Sequence, residues 1–375
     1  MKFLNYLRPM IIWSVALYLC ITIVSAGELV LVTGDVLNVR HEPDGNRIGR
    51  VYWGQQFELL QRQDSWGMIQ FERDHMGWVH LDYVQTVKSP EGRHTVEQYC
   101  QDLNQEFKKL RWQDIDCKPE EWQNNFFSVQ GRPLIYTVIG EKAPTSLLIC
   151  SVHSDENTSY QCFRLVQWLK ENPSTLKTKL VIVPLINPDG FFGQYKTRTN
   201  ANRIDLNRNL PTSDWYQMAQ KAWGRHYQRD KRLYPGELAN SEPENQFLIS
   251  LMSTYSPDKL FSIHSPLNFL DLDYMDESID DKAVQEVNEK ANALAVQFTE
   301  ESQFVYKDYR TFPGSLGRYG DEWKIPVYTL EMPSSDPFQA HKYFERFRSS
   351  FVKTFNAILG TQRTALKEQS TPPLM

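Results

Sequence analysis

A histidine and a glutamate stand three positions apart directly after an apolar run. His153-Ser154-Asp155-Glu156 follows the run 147–152, which reads as a buried strand. Catalytic zinc in hydrolases is commonly held by two histidines and one glutamate, with water in the fourth position. His264, after the apolar run 260–263, offers the second histidine. These residues predict a zinc site built at strand ends.

A further carboxylate, Glu331, also follows an apolar run, 327–330. In open α/β sheets, ligands bind outside the carboxyl ends of the strands. Three such ends therefore converge on one site. A His-x-x-Glu pair alone is a weak signal because chance matches are frequent, so the surrounding segments must carry the argument.

Several segments along the chain match one family in order. Asn187-Pro188-Asp189-Gly190 is followed by the polar stretch 198–209, by Ile263-His264-Ser265 and by Thr329-Leu330-Glu331. In this order they resemble the zinc metallocarboxypeptidase family. The resemblance extends over about 125–355 and is greatest to the bacterial murein peptide amidase branch. Five short matches carry the likeness to that branch: 131–133, 209–215, 234–236, 241–244 and 264–267.

The resemblance implies a role for each residue of the site. His153, Glu156 and His264 would hold one Zn²⁺, and Glu331 would be the catalytic base that acts on water at the metal. A carboxylate in that position can take a proton and return it to the leaving amine. The fold implied is a mixed sheet with helices on both faces.

Substrate recognition is implied by the same likeness. Asn207 and Arg208 match the pair that grips the terminal carboxylate, a task that suits the planar fork of a guanidinium. Arg198 matches the donor to the developing oxyanion, with Lys196 and Arg203 as competing choices. A clamp on the terminal carboxylate makes the enzyme an exopeptidase.

Two further substrate contacts each have more than one interpretation. Tyr309 matches the mobile tyrosine that closes over the substrate carboxylate, while Tyr306 and Tyr319 compete for that role. Asp155 replaces the arginine of the digestive members, and an acidic residue also stands there in the murein branch. It could pair with an ammonium group such as that of diaminopimelate, or it could orient a ligand histidine.

The amino-terminal segment 1–26 is typical of a signal peptide. Lys2 and Arg8 precede an apolar stretch that ends in Val24-Ser25-Ala26-Gly27, which predicts cleavage after Ala26. The stretch is short for a membrane span, although an uncleaved anchor is the alternative. Cys20 lacks the preceding small residue of a lipoprotein signal. We therefore expect a secreted or periplasmic protein with no other membrane contact.

The remaining chain divides into two units. Short β-rich runs and turns over 27–87 predict a small barrel, which resembles a bacterial Src-homology-3-like domain. A polar linker at 88–95 leads to the catalytic domain, 96–360, and a polar tail at 361–375 is expected to be disordered. Helices are expected over 96–110, 157–171 and 278–301, alternating with strands.

Cysteine usage agrees with an oxidising compartment. Without Cys20, four cysteines remain, which allow three complete pairings or buried thiols: Cys100, Cys117, Cys150 and Cys162. Sequence does not choose among them. The net charge of −5, without a basic run, argues against nucleic acid as a partner.

Together these features predict an exported zinc carboxypeptidase that cleaves peptidoglycan stem peptides beside diaminopimelate. A general metallocarboxypeptidase acting on ordinary peptides is the alternative enzyme. A wall-binding protein that keeps the fold as a scaffold is the alternative outside enzymes, although such a scaffold has no chemical need for the three ligands and Glu331. Sequence leaves the exact bond and the oligomeric state open.

Overall fold

A computed structural model describes residues 21–23, 28–34, 36–52, 55–72, 75–88, 93–273, 282–307, 309 and 311–360. Most of the predicted signal segment, residues 89–92 of the linker and the tail 361–375 lie outside these ranges. Within the described part of the chain, no helix combines the length and apolar character needed to cross a bilayer.

The amino-terminal unit is an antiparallel all-β sheet, in agreement with the short strands and turns of its sequence. Its strands among the described residues are β1 (Ile21–Ile23), β2 (Glu28–Val32), β3 (Val36–Arg40), β4 (Arg47–Tyr52), β5 (Gln56–Gln63), β6 (Trp66–Glu72), β7 (His75–His80) and β8 (Val84–Lys88). They follow the order β4-β3-β7-β6-β5-β2-β8, with β1 paired to β5. Val30, Val39, Ile69 and Val79 fill its core. Its likeness to a Src-homology-3-like domain stays a prediction.

The second unit is built on a mixed sheet, as the sequence predicts. Its described strands are β9 (Gln123–Phe127), β10 (Pro133–Ile139), β11 (Thr145–Cys150), β12 (Lys179–Val183), β13 (Lys259–His264), β14 (Phe269–Asp273) and β15 (Val327–Glu331). The order is β14-β15-β13-β11-β12-β10-β9. The four central strands are parallel, and β14, β10 and β9 run antiparallel to their neighbours.

Helices cover both faces of this sheet. They are α1 (Val96–Lys109), α2 (Ser159–Glu171), α3 (Pro188–Phe192), α4 (Trp215–Arg225), α5 (Pro243–Tyr255), α6 (Lys282–Ser302), α7 (Leu316–Glu322) and α8 (Ala340–Asn356). Side chains alternate across a strand. Accordingly Leu148 of β11 joins one buried cluster, and its neighbours Leu147 and Ile149 join the other. Burial on both faces explains why β11 and β13 read as continuous apolar runs.

The predicted helices are present, and among the described residues α1 starts where expected while α2 starts later. α1 begins after Thr95, which forms a capping box with Gln98. α2 begins at Ser159, two residues later than expected, because Ser154–Glu156 forms a 3₁₀ turn and Asn157 takes a left-handed conformation with φ 56°. α6 is described from Lys282 onwards, so its expected start at 278 lies outside the described residues.

The four cysteines outside the predicted signal segment form two disulfides, Cys100–Cys117 and Cys150–Cys162. The first joins α1 to the segment that follows it. The second joins the end of β11 to α2, and therefore closes a loop around the His153–Glu156 turn. This resolves the pairing that the sequence left open.

Candidate active site

The site forms where three neighbouring parallel strands end. β11, β13 and β15 lie side by side, and the register places His264 directly opposite Glu331. His153 stands three residues beyond the last residue of β11. The topology therefore brings together the residues that the apolar runs pointed to, as expected for the carboxyl edge of such a sheet.

His153, Glu156 and His264 form a compact, buried group whose possible ligand atoms lie within 4.8 Å of one another. The Nδ1 atoms of the two histidines are 3.2 Å apart. The Glu156 carboxylate lies 2.7 Å from Nδ1 of His153 and 2.9 Å from Nδ1 of His264. Zn–N bonds of about 2.0 Å at tetrahedral angles place two nitrogens about 3.3 Å apart. Spacing and donor types thus fit zinc held by two Nδ1 atoms and one carboxylate.

The turn that carries Glu156 is fixed by polar contacts. The Ser154 hydroxyl donates to the Asn187 carbonyl at 2.5 Å, and the Ser265 hydroxyl donates to the Glu156 carbonyl at 2.9 Å. Asn187 in turn caps α3 by accepting from the Gly190 N–H at 3.0 Å. A Cβ at Gly190 would lie 2.7 Å from the Asn187 side chain, so the tight Asn187–Gly190 motif requires glycine there.

Asp205 is a site residue to which sequence reasoning assigned no role. Its buried carboxylate contacts Nε2 of His153 at 3.0 Å through Oδ1 and Nε of Arg198 at 2.9 Å through Oδ2. Carboxylates of this kind fix the tautomer and orientation of metal-binding histidines. The signal that could have found it is its position inside the matched stretch 198–209.

Charge coupling keeps the acidic members of the group ionised. Burial raises the pKa of Glu156, but His153 and His264 outweigh that effect and hold it well below its ordinary value. Burial likewise opposes ionisation of Asp205, yet Arg198 and His153 lower its pKa. Both carboxylates are therefore anionic at neutral pH, as ligation and histidine orientation require.

Arg198 lies beside the candidate metal group. Its Nη1 is 3.5 Å from Oε1 of Glu156, and its side chain is largely buried. The two competing cations are placed elsewhere: Lys196 donates to the Phe191 carbonyl and lies over the Phe191 ring, and Arg203 is exposed with φ 64°. Of the three, Arg198 is the one beside the candidate metal group, and its role as oxyanion donor stays a prediction.

Glu331 faces the same group from β15. One of its carboxylate oxygens accepts from the Leu267 N–H at 3.4 Å. Burial raises the pKa of Glu331, and the negative Glu156 adds to that rise, while His264 partly offsets it. A carboxylate with a raised pKa is a better proton acceptor than an ordinary one, which suits a general base.

Asn207 and Arg208 lie next to the segment that contains Tyr309. The Leu316 N–H donates to Oδ1 of Asn207 at 2.8 Å, which leaves the amide Nδ2 to donate to a ligand. Arg208 donates from Nη1 to the Asn207 carbonyl at 2.6 Å. Gly314, with φ 77°, packs so closely that a Cβ would lie 2.1 Å from the Arg208 carbonyl oxygen.

Tyr309 is 48% exposed, with its ring 5.5 Å from that of Phe269. Its N–H donates to Asp271 at 2.9 Å, which anchors the backbone and leaves the phenol at the surface. Tyr319 is buried in the core, and Tyr306 packs against the other apolar cluster. Among these three tyrosines, Tyr309 is the one exposed enough to swing over a ligand.

Asp155 is paired with a residue that the sequence did not single out. Its Oδ2 accepts from Nη2 of Arg232 at 2.7 Å. Its Oδ1 is buried without a hydrogen-bond partner among the described residues. The residue that contacts His153 from outside the metal group is Asp205, at 3.0 Å, while the role of Asp155 in substrate binding stays a prediction.

Comparison with known proteins agrees with this geometry. The zinc carboxypeptidase family model matches residues 127–348. The chain is 32% identical over 229 residues to murein peptide amidase A of Vibrio campbellii, covering 60% of this chain and 83% of that protein. Murein peptide amidase A of Escherichia coli K12 is 30% identical over 214 residues, covering 56% of this chain and 81% of that protein.

A solved structure supports the fold. Bovine thrombin-activatable fibrinolysis inhibitor, solved in complex with tick carboxypeptidase inhibitor, has a TM-score of 0.50 at 16% identity. The match covers 70% of this chain and 94% of that one. Because the family model spans more than half of the chain, the conclusion from the sequence is confirmed: this protein belongs to the zinc carboxypeptidase family of metallopeptidases.

Proposed function

We propose that the protein is an exported zinc carboxypeptidase that hydrolyses peptidoglycan stem peptides at a bond adjacent to diaminopimelate. The observation that carries the reaction type is the convergence of His153, Glu156 and His264 with Glu331 at one sheet edge. The substrate class rests on the two relatives named murein peptide amidase A.

Each residue of the site has a place in the reaction. Arg208 and the Nδ2 group of Asn207 bind the free carboxylate of the terminal residue, and Tyr309 closes over it. Arg198 donates to the carbonyl oxygen as negative charge develops there. Glu331 takes a proton from the attacking water and delivers it to the nitrogen of the leaving amine as the C–N bond breaks.

Zinc fits the three ligand residues and, when bound, would act as a Lewis acid toward the carbonyl and lower the pKa of water to about 7. Asp205 keeps His153 in the tautomer whose Nδ1 is available. Glu156 stays anionic because His153 and His264 lower its pKa despite its burial. When zinc is bound, His153 and His264 would ligate it as neutral imidazoles beside the Glu156 carboxylate.

Export is proposed on two grounds. The segment 1–26 has the pattern of a signal peptide, although an uncleaved anchor would also place the chain outside the cytoplasm. Two disulfides are typical of proteins that fold in an oxidising compartment, such as the periplasm or the cell exterior.

The test is digestion of defined muropeptides by the zinc-loaded protein, followed by mass spectrometry. A stem tripeptide ending in diaminopimelate should release the free diamino acid, and a tetrapeptide would report cleavage on the other side of it. Glu331→Gln is the matched control, because it should keep zinc but lose about 100- to 10,000-fold in rate. Cleavage of ordinary peptides with no preference for muropeptides would favour the general carboxypeptidase. Zinc binding without turnover on either class would favour the scaffold.

A further inference from the structure

Arg208 packs against two neighbouring aromatic rings. Its guanidinium carbon lies 4.6 Å from the centre of the Phe312 ring and 5.5 Å from the centre of the Tyr227 ring. The two rings are themselves 5.6 Å apart, at an angle of 58°. Cations over an aromatic face are attracted by it. Phe312 belongs to the segment that carries Tyr309, whereas Tyr227 follows α4 in a stretch without an assigned role.

Two buried polar atoms at this place make no hydrogen bond of ordinary length and angle within the described part of the chain. They are the hydroxyl of Tyr227 and Nε of Arg208, although the Arg208 side chain lies close enough to the phenol for a weak hydrogen bond and for its charge to act on it. Burying such groups without a partner is unfavourable. Burial also raises the pKa of Tyr227, against a smaller opposing effect of the nearby Arg208, so the phenol stays protonated and can accept or donate.

The other contacts of Arg208 hold its backbone and one nitrogen of its guanidinium. Nη1 is used by the Asn207 carbonyl, and the Arg208 carbonyl is held by the indole N–H of Trp215 at 2.8 Å. These bonds fix the backbone and one corner of the guanidinium. Packing against Tyr227 and Phe312 is the further contact that can restrain the plane of the group, on which paired hydrogen bonding to a carboxylate depends.

We infer that Tyr227 is a positioning residue of the terminal-carboxylate subsite, acting through Arg208. Its ring, with Phe312, holds the guanidinium plane ready for a carboxylate. Its hydroxyl lies close enough to the same guanidinium to accept from it, so that ring and hydroxyl together restrict how the group can turn. The inference rests on the proposed function only in that the substrate must end in a free carboxylate, and it holds for muropeptides and for ordinary peptides alike.

A subsite that is ordered before the ligand arrives saves part of the entropy cost of binding. Loss of the Tyr227 hydroxyl should therefore weaken binding of free-acid substrates and leave carboxyl-amidated substrates unaffected. A purely structural role would lower activity on both alike. The ratio of kcat/KM for the free acid to that for the amide is consequently the diagnostic quantity.

The experiment compares Tyr227→Phe and Tyr227→Leu with the parent on a diaminopimelate-ending tripeptide and on an ordinary dipeptide, each as free acid and as amide. Tyr227→Phe should raise KM for the acid about 3- to 10-fold, the equivalent of one hydrogen bond, with kcat within about twofold. Tyr227→Leu, which also removes the ring, should reduce the acid-to-amide ratio further. Tyr216→Phe, at an exposed position of α4, is the matched control and should change nothing.

An acid-to-amide ratio equal to that of the parent in both variants would overturn the inference. So would equal losses on acid and amide in variants that retain zinc and the parental melting temperature. If the parent cleaves only ordinary peptides, the muropeptide proposal fails while the ratio on those peptides still decides the role of Tyr227. If the parent protein cleaves neither free-acid peptide, both the proposed function and the role of Tyr227 are overturned.

Discussion

Nε2 of His153 and Oδ1 of Asp205 lie 3.0 Å apart, with both side chains buried. This contact occupies the ring nitrogen that points away from Glu156. It therefore leaves Nδ1, the atom 2.7 Å from the Glu156 carboxylate, as the ring nitrogen available to a metal ion. Asp205 also holds Arg198, so one carboxylate orients a candidate metal ligand and the candidate oxyanion donor together.

Asp205→Asn should therefore weaken zinc binding about 10- to 100-fold, because loss of such an orienting carboxylate typically has that effect. It should also lower kcat, since Arg198 loses its anchor. Zinc affinity measured by competition with a chelator tests the first effect. Asp64→Asn, at a turn of the amino-terminal sheet, removes the same charge and should bind zinc like the parent. Parental zinc affinity in Asp205→Asn would contradict the assigned role.

The Cys150–Cys162 disulfide should stabilise both the fold and the metal site. Replacing both cysteines by serine removes a cross-link across 12 residues and should lower the free energy of unfolding by about 3 kcal/mol. Because that loop contains His153 and Glu156, zinc affinity should fall as well.

The second disulfide provides a matched control. Cys100–Cys117 closes a loop of 17 residues that contains no site residue. Its double serine variant should lose similar stability, measured by denaturant unfolding, while zinc affinity is unchanged. If the two double variants bind zinc equally well, the Cys150–Cys162 bridge has no special link to the metal site.

A buried carboxylate away from the metal predicts a pH dependence of stability. Burial, with Asp189 adding to it, raises the pKa of Glu244 from 4.5 to about 8. Below pH 4.5 the group is protonated in both folded and unfolded chains. Between 4.5 and 8 the folded protein keeps a proton that the unfolded chain releases, so the free energy of unfolding falls as pH rises, by a few kcal/mol at most.

Glu244→Gln should remove this term, and its one side-chain oxygen remains an acceptor for the Val129 N–H or for Nδ2 of Asn200, both of which donate to Glu244. Melting temperatures of parent and variant are expected to agree near pH 4 and to separate towards pH 8, with the variant higher. Glu289→Gln, an exposed substitution on α6, should follow the parent throughout. Parallel curves for Glu244→Gln and the parent would mean that the carboxyl is not protonated in the folded state.

Sequence could predict the parts of the site that local patterns encode. Apolar runs located β11, β13 and β15, and the residues after them became neighbours because parallel strands share an edge. Contacts made by loops were beyond such reasoning. Asp205 reaches His153 across 52 positions, and Arg232 reaches Asp155 across 77, in segments without periodicity. The disulfide pairing was open for the same reason, since it depends on how α2 packs against β11.

The Asp155–Arg232 pair changes what can be expected of substrate selection. Asp155 has one oxygen bound by Arg232 and another, Oδ1, that is buried without a partner in the described part of the protein. Because Oδ1 is closed to solvent, an ammonium group of the substrate would have to reach the Asp155 carboxylate on the side that Arg232 occupies. Arg232 is mostly exposed, and its positive charge already offsets the negative charge of Asp155, so a substrate ammonium group would compete with it.

Asp155→Asn should consequently reduce kcat/KM on diaminopimelate-ending peptides by about 5- to 50-fold. The variant loses a charge-assisted hydrogen bond, which is worth about 1.5 to 3 kcal/mol before solvent screening weakens it. Ordinary peptides without a side-chain amine should be cleaved within about twofold of the parental rate. Arg232→Gln, which removes the competing cation, should leave diaminopimelate peptides at least as good substrates as before. Rates on both peptide classes, taken from competing mixtures, give the ranking directly. An unchanged ranking in Asp155→Asn would leave Asp155 with a purely structural role, that of holding Arg232 against the turn between the metal ligands.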